Sequence, residues 1–314
     1  MVRMTDFTFP SSNGTSSIHC RMWRPAGEVR GVVQLVHGVA EHIGRYGAFA
    51  EFLTEHGFAA AGDDHHGHGL SIADESERGW FAEKDGWKLI VEDEKKLRDR
   101  LREEFPNVPM ILLGHSMGSF MARTYIGDYP DDFDLCILSG TGHTPGAVCR
   151  LGRMAARREI RRHGSKFRSG TLKQMAFGSY LKGIEDPIGP NDWICRDEAV
   201  IRAYDADPLC GFTPTAELMY EMMVGLENIG NNSHNMKIRK DLPILFISGD
   251  ADPVGGWGKG VRTVFDRMKG LGIRDVSLKL YPGARHEVLN ELNKAEVWDD
   301  VLAWIEKKLP EKAG

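Results

Sequence analysis

The sequence predicts an α/β fold: a mostly parallel central sheet with helices on both faces and an inserted helical cap. Three observations lead there. Short β-rich apolar runs alternate with segments of helical period, the pattern of βαβ units. A serine stands between two glycines where one such run meets one such helix. The alternation stops between residues 142 and 236 and then resumes.

In order, residues 7–25 alternate in character and turn at Ser12-Asn13-Gly14, which reads as a β-hairpin. The run 31–36 is a strand that stops at His37-Gly38. Tyr46, Phe49, Phe52 and Leu53 mark a helix closed by Gly57. Residues 58–64 form the next strand and lead into the loop His65-His66-Gly67-His68-Gly69-Leu70-Ser71. Trp87, Ile90, Glu94, Leu97, Leu101 and Phe105 lie on one face of a long, otherwise charged helix. The apolar run Pro109-Met110-Ile111-Leu112-Leu113 is a buried strand. Beyond it Phe120, Met121, Thr124 and Tyr125 recur at helical spacing. Residues 135–140 are another strand.

From 142 to 236 the chain is helix-like without strands, which reads as a cap over the sheet edge. Strands resume at 242–247 and 276–280. A helix with Val297, Val301, Trp304 and Ile305 closes the chain before a polar tail. The expected division is a core in two parts, 1–141 and 237–314, with the cap between them at 142–236. In such sheets ligands bind where strand C-termini meet loops. His37, Asp64, Ser116, Asp252 and His286 each follow an apolar run, so one edge is expected to hold them all.

Composition narrows the function. The 314 residues are 41% hydrophobic and 27% charged, as in ordinary globular proteins. A net charge of -5 gives no reason to expect nucleic acid as a partner. No apolar run is long enough for a bilayer, and the first residues lack the apolar core of a signal peptide. The five cysteines (Cys20, Cys136, Cys149, Cys195, Cys210) are odd in number and scattered, with no Cys-x-x-Cys. That suits a reducing cytoplasm better than a disulfide framework.

The chemistry centres on Gly114-His115-Ser116-Met117-Gly118. Gly-x-Ser-x-Gly between a strand and a helix is a nucleophile elbow, whose glycines let the two elements crowd together. A serine hydroxyl is a weak nucleophile near neutral pH and needs an adjacent base. His286 follows the last strand and supplies an imidazole that can take and return a proton. Asp252, in Ser248-Gly249-Asp250-Ala251-Asp252-Pro253-Val254, supplies the carboxylate that orients it. Asp250 is the rival for that role; Asp252 is preferred because it lies further into the exposed loop. The order Ser…Asp…His is that of α/β-hydrolases. The oxyanion then needs two donors, expected to be the backbone N–H groups of Met117 and Val39.

Several stretches resemble the monoacylglycerol lipase and lysophospholipase branch of the α/β-hydrolases, often grouped with serine aminopeptidases. They are the segments His37 through Tyr46, Asp64 through Ser71, the elbow, Asp192-Trp193 through Phe212, Gly249 through Gly255, and Tyr281-Pro282-Gly283-Ala284-Arg285-His286-Glu287. The resemblance implies the same triad, Ser116, Asp252 and His286, and the same donors, Val39 and Met117. It implies no cofactor and no metal, the His65-His66-His68 loop being structural. It implies monoacylglycerols or lysophospholipids as substrates. An aminopeptidase, an acyl-thioesterase with the same triad, or a binding protein without turnover are the alternatives. A peptidase would need an acidic group in the cap, for which Glu185, Asp186 and Glu217 are available.

Two features of the cap remain. Ala216, Met219, Tyr220, Met223 and Leu226 form a helical stripe; Met219, Tyr220 and Met223 are candidate acyl-pocket residues. Arg150, Arg153, Arg157, Arg158, Arg161, Arg162, Lys166, Arg168 and Lys173 stand against Glu159 alone. This basic stretch is either a solvated helix face or a contact with anionic lipid surfaces.

Overall fold

The computed structural model describes residues 3–309. Met1, Val2 and the polar tail after Leu309 lie outside the described residues. The chain opens with a hairpin of β1 (Arg3–Pro10) and β2 (Ser17–Arg24), in register from Arg3 opposite Arg24 to Pro10 opposite Ser17. Asn13 Oδ1 accepts the N–H groups of Thr15 and Ser16, and Gly14 takes φ 75°. That is turn chemistry glycine and asparagine supply cheaply.

Strands and helices then alternate: β3 (Gly31–Val36), α1 (Gly47–Glu55), β4 (Phe58–Asp63), α2 (Gly86–Glu104), β5 (Met110–His115), α3 (Met117–Asp128) and β6 (Leu135–Ser139). Five helices follow before the next strand: α4 (Gly146–His163), α5 (Gly170–Phe177), α6 (Glu198–Ala206), α7 (Ala216–Ile229) and α8 (Asn232–Asn235). The chain ends with β7 (Ile244–Gly249), α9 (Lys259–Gly270), β8 (Val276–Tyr281) and α10 (Lys294–Lys308).

Among the described residues the strands make one eight-stranded sheet in the order β1-β2-β4-β3-β5-β6-β7-β8. β2 runs antiparallel to β1 and β4, and every pair beyond is parallel. Alternate residues feed two cores. Val33, Leu35, Ile111 and Leu113 pack with α1 and α10 on one face. Val32, Val36, Met110 and Leu112 pack with α2, α3 and α9 on the other. Both faces are covered, which is why the inner strands are buried throughout and largely apolar rather than alternating. Leu218, Met219, Met222 and Leu226 of α7 join the second core beside Phe120 and Met121 of α3. Apolar burial therefore seats α7 on the helix that follows the serine.

Helix α9 has no counterpart among the expected elements. Its entry is glycine-rich (Gly255, Gly256, Gly258, Gly260) and its buried face is only Val261, Val264 and Met268. With Phe265 packed on the same core, these residues fall at i, i+3, i+4 and i+7, so the helix is legible in the sequence although it is absent from the expected elements.

Candidate active site

β5 delivers Ser116 into a turn with φ 52° and ψ -121°, a positive φ that a non-glycine residue seldom adopts. The flanking glycines are required by contact. A Cβ on Gly114 would stand 2.3 Å from the Gly118 carbonyl oxygen, and one on Gly118 would stand 2.1 Å from that of Val36. Ser116 is the N-cap of α3, so the Met117 N–H lies in the first helical turn, where backbone donors lack intrahelical acceptors.

After β3 the loop His37-Gly38-Val39 passes over the nucleophile. A Cβ on Gly38 would stand 3.0 Å from Ser116 Cβ. Glu41 braces this loop: its Oε1 accepts the Gly38 N–H at 2.5 Å and the Tyr46 hydroxyl at 3.0 Å. Arg45 bonds Glu41 at 2.6 Å and Glu287 at 2.6 and 2.7 Å, tying the loop to the residue beside His286. Among the described residues the Val39 N–H has no acceptor. His42 pairs with Asp207 of the cap at 2.9 Å.

Asp252 is fully buried, and each of its carboxylate oxygens lies 3.0 Å from His286 Nδ1. Val254 N–H and the Ser248 hydroxyl donate to the same carboxylate. Burial works against a charged imidazole at 286, and the Asp252 charge outweighs it, so the His286 pKa stands above its ordinary value. His286 is 2% exposed and packs between the rings of His115 and Trp193. Its Nε2 carries no hydrogen bond. Ser116 and His286 border one cavity without being bonded, a separation common before substrate arrives. Asp250 is turned away: its exposed carboxylate accepts the Gly283 N–H at 2.7 Å. Asp64 stays on the sheet edge as a structural acceptor, taking the N–H groups of Ile43 and Leu70.

The cavity holds about 380 Å³. Ser116, His286, Gly38, Val39 and Met117 form its floor, and Phe120, Leu172, Met219, Met222, Met223 and Leu226 line its wall. Tyr220 does not join them, contrary to expectation. It lies on the far side of the α7 stripe, where its hydroxyl accepts from Arg157 at 2.9 Å. Met222 takes that place. Helical spacing alone left the boundary of the lining face one residue off. Trp193, Tyr180 and Ile194 also border the cavity. Tyr180 opens a short 3-10 turn and Trp193 and Ile194 lie in turns between α5 and α6, where the sequence signal is the Asp192-Trp193 resemblance.

The carboxylates bordering the cavity, Glu41 and Glu287, are both bonded to Arg45. Glu217 instead accepts the Phe81 N–H, and Glu185 and Asp186 are exposed away from the cavity. Among the described residues two clusters have ligand atoms within 4.8 Å of one another: His42, Asp207 and Cys210, and Asp63, His65 and Glu94. Neither borders the cavity. In the basic stretch, Arg150 and Arg153 pair with Glu227 of α7, so Glu159 is not the sole counter-charge.

The model of one family, serine aminopeptidase S33, matches residues 27–293. The chain belongs to the S33 family. This S33 chain is 31% identical to a monoacylglycerol lipase of Mycolicibacterium smegmatis, covering 90% of this chain and 91% of that one. It is 25% identical to the Homo sapiens monoglyceride lipase, covering 93% and 87%. A thermostable carboxyl esterase from Bacillus coagulans, solved in complex with glycerol, superposes with a TM-score of 0.90 at 31% identity, covering 97% and 98%. The S33 chain is thus an α/β-hydrolase of the monoacylglycerol lipase branch and a serine hydrolase.

Proposed function

We propose that the protein hydrolyses monoacylglycerols through an acyl-enzyme, with lysophospholipids as the neighbouring substrate class. The observation that carries this is a Ser116 elbow opening onto an apolar cavity whose floor also holds the Asp252–His286 pair. Residues 142–236 act as the cap that shapes this cavity. Ser116 Oγ attacks the ester carbonyl as His286 Nε2 takes its proton. The Val39 and Met117 N–H groups hold the tetrahedral oxyanion, each donor being worth about 3 kcal/mol of transition-state stabilisation. Collapse expels glycerol, which takes the proton from His286. A water, deprotonated by the same imidazole, then releases the fatty acid and restores Ser116. No step calls for a cofactor.

An ester rather than a peptide fits because the cavity carboxylates are already paired with Arg45, leaving none for a free amine. Comparing rates on 1-monoacylglycerols, lysophospholipids, acyl thioesters and aminoacyl anilides tests the ranking. Faster anilide turnover would reverse it.

The same reading takes the cap to an anionic lipid surface. Val148, Leu151 and Met175 border the cavity yet are 51%, 64% and 59% exposed, and Met154 beside them is 69% exposed. Arg157, Arg158, Arg161 and Arg162 follow on α4. Apolar residues flanked by cations suit an anionic interface. Co-sedimentation should favour anionic over neutral vesicles, and equal binding to both removes the idea. A cytoplasmic location fits the scattered free cysteines; among the described residues no helix is long and apolar enough to cross a membrane.

A further inference from the structure

Beneath the oxyanion loop lies a buried cluster that the mechanism does not use. Asp63 ends β4, His65 follows it, and Glu94 comes from the middle of α2. All three are 1% exposed. His65 Nδ1 stands 3.1 Å from Asp63 and 3.2 Å from Glu94, at ion-pair distance to both but off the line of a hydrogen bond to either. Gln34 of β3 donates to Glu94 at 2.6 Å. Burial and the Asp63 charge push the Glu94 carboxyl up to about 8, so the Asp63 carboxylate 3.1 Å away is what favours the imidazolium, with Glu94 closing its other side.

The other edge of that ring meets His37. His65 Nε2–H donates to the His37 carbonyl at 3.0 Å, and the His65 backbone N–H donates to His37 Nε2 at 3.1 Å. The two rings stack with centroids 3.7 Å apart. His37 Nδ1–H in turn donates to the Gly38 carbonyl at 2.7 Å. With Glu41 on the Gly38 N–H, the polar groups on both sides of the His37–Gly38 peptide are held. The next donor along the chain is the N–H of Val39, a residue that borders the cavity; among the described residues it has no acceptor.

We propose that His65, anchored as an imidazolium between Asp63 and Glu94, is a positioning residue that fixes the His37–Gly38 peptide and so aims the Val39 N–H at the oxyanion. The inference rests on the serine-hydrolase reading of Ser116 and Val39 given above. It is the geometry of an aimed donor: a fraction of an ångström in a carbonyl plane decides whether the following N–H meets developing charge. A loop held only by its own backbone could turn that peptide over. Here His37, whose carbonyl is bonded by buried His65, holds the Gly38 carbonyl through its Nδ1–H, and that carbonyl shares a peptide plane with the Val39 N–H.

The test uses the full chain with His65→Leu and His65→Gln, alongside Ser116→Ala. The glutamine keeps a donor for the His37 carbonyl; the leucine does not. On a short p-nitrophenyl ester, His65→Leu should lower kcat about a hundredfold, the scale of one oxyanion donor. KM should stay within about twofold, since the acyl wall is untouched. An alkyl trifluoromethyl ketone, which binds as a tetrahedral adduct, should weaken in step with kcat/KM. His65→Gln should recover most of kcat. Thermal melts establish that the variants are folded; should His65→Leu not fold, His65→Gln with Asp63→Asn carries the comparison, the asparagine expected to lower kcat with KM unchanged. Wild-type kcat in the leucine variant, or losses appearing in KM with the ketone unaffected, would overturn the proposal. Failure of Ser116→Ala to abolish turnover would instead overturn the reading of the nucleophile, so the two failures are distinct.

Discussion

Both carboxylate oxygens of Asp252 lie 3.0 Å from Nδ1 of His286, inside a pocket where neither residue is more than 2% exposed. Burial disfavours the charged ring and the carboxylate restores it with excess, so the imidazolium persists to a pH above the ordinary histidine value of 6.5. The attacking step needs the neutral ring. Activity should therefore fall as pH drops through the raised pKa, and the acid limb of kcat/KM should have its midpoint above 6.5. Asp252→Asn removes the favourable charge, so the residual activity should show that limb at lower pH. A wild-type midpoint below 6.5 in a pH–rate profile would contradict the assigned balance.

Glu217 and Glu221 give a stability prediction. Both are buried on α7 and accept backbone N–H groups, Glu217 from Phe81 and Glu221 from Trp87. Burial raises both pKa values, and in Glu217 the neighbouring Glu221 charge adds to it. The folded chain binds these protons more tightly than the unfolded one. The resulting stability is present below the ordinary value near 4.5 and is lost as pH rises through the folded value. Glu217→Gln keeps an acceptor and removes the charge. Melts at pH 5 and pH 8 should show a smaller difference for the variant than for the wild type, and a higher Tm at pH 8.

The elbow glycines make a packing prediction. Gly118→Ala places a methyl 2.1 Å from a backbone oxygen that cannot move aside. It should cost at least about 2 kcal/mol in urea unfolding. Gly170→Ala, whose added Cβ meets nothing within 4 Å, should change stability by less than about 1 kcal/mol.

Much of this was legible beforehand. The strands and the helices α1, α2, α3 and α10 follow from apolar runs and periodic faces; β3 to β7 are buried on both faces, while β1, β2 and β8 are only partly buried. Ser116, Asp252 and His286 were legible because each follows a strand, and topology brings those ends to one edge. The cap was less so. Trp193 reaches the cavity from a turn and Tyr180 from a single short 3-10 turn, where helical periodicity carries no signal. Tyr220 was misplaced because a helical stripe fixes a face only to within one residue; its hydroxyl found Arg157 while Met222 turned inward. The link from His65 to His37 is invisible in sequence, since it depends on the parallel register of β3 and β4.

Met222→Phe narrows the cavity wall and should lower kcat/KM for a dodecanoyl ester about tenfold relative to a butyryl ester. Tyr220→Phe should leave that ratio unchanged. A chain-length panel of p-nitrophenyl esters reads both.

The most direct test joins labelling to turnover on a 1-monoacylglycerol. A fluorophosphonate should add once, on the peptide carrying Ser116, and hydrolysis should fall in proportion to the fraction labelled and vanish in Ser116→Ala. Undiminished hydrolysis by fully labelled protein, or by Ser116→Ala, would contradict the account.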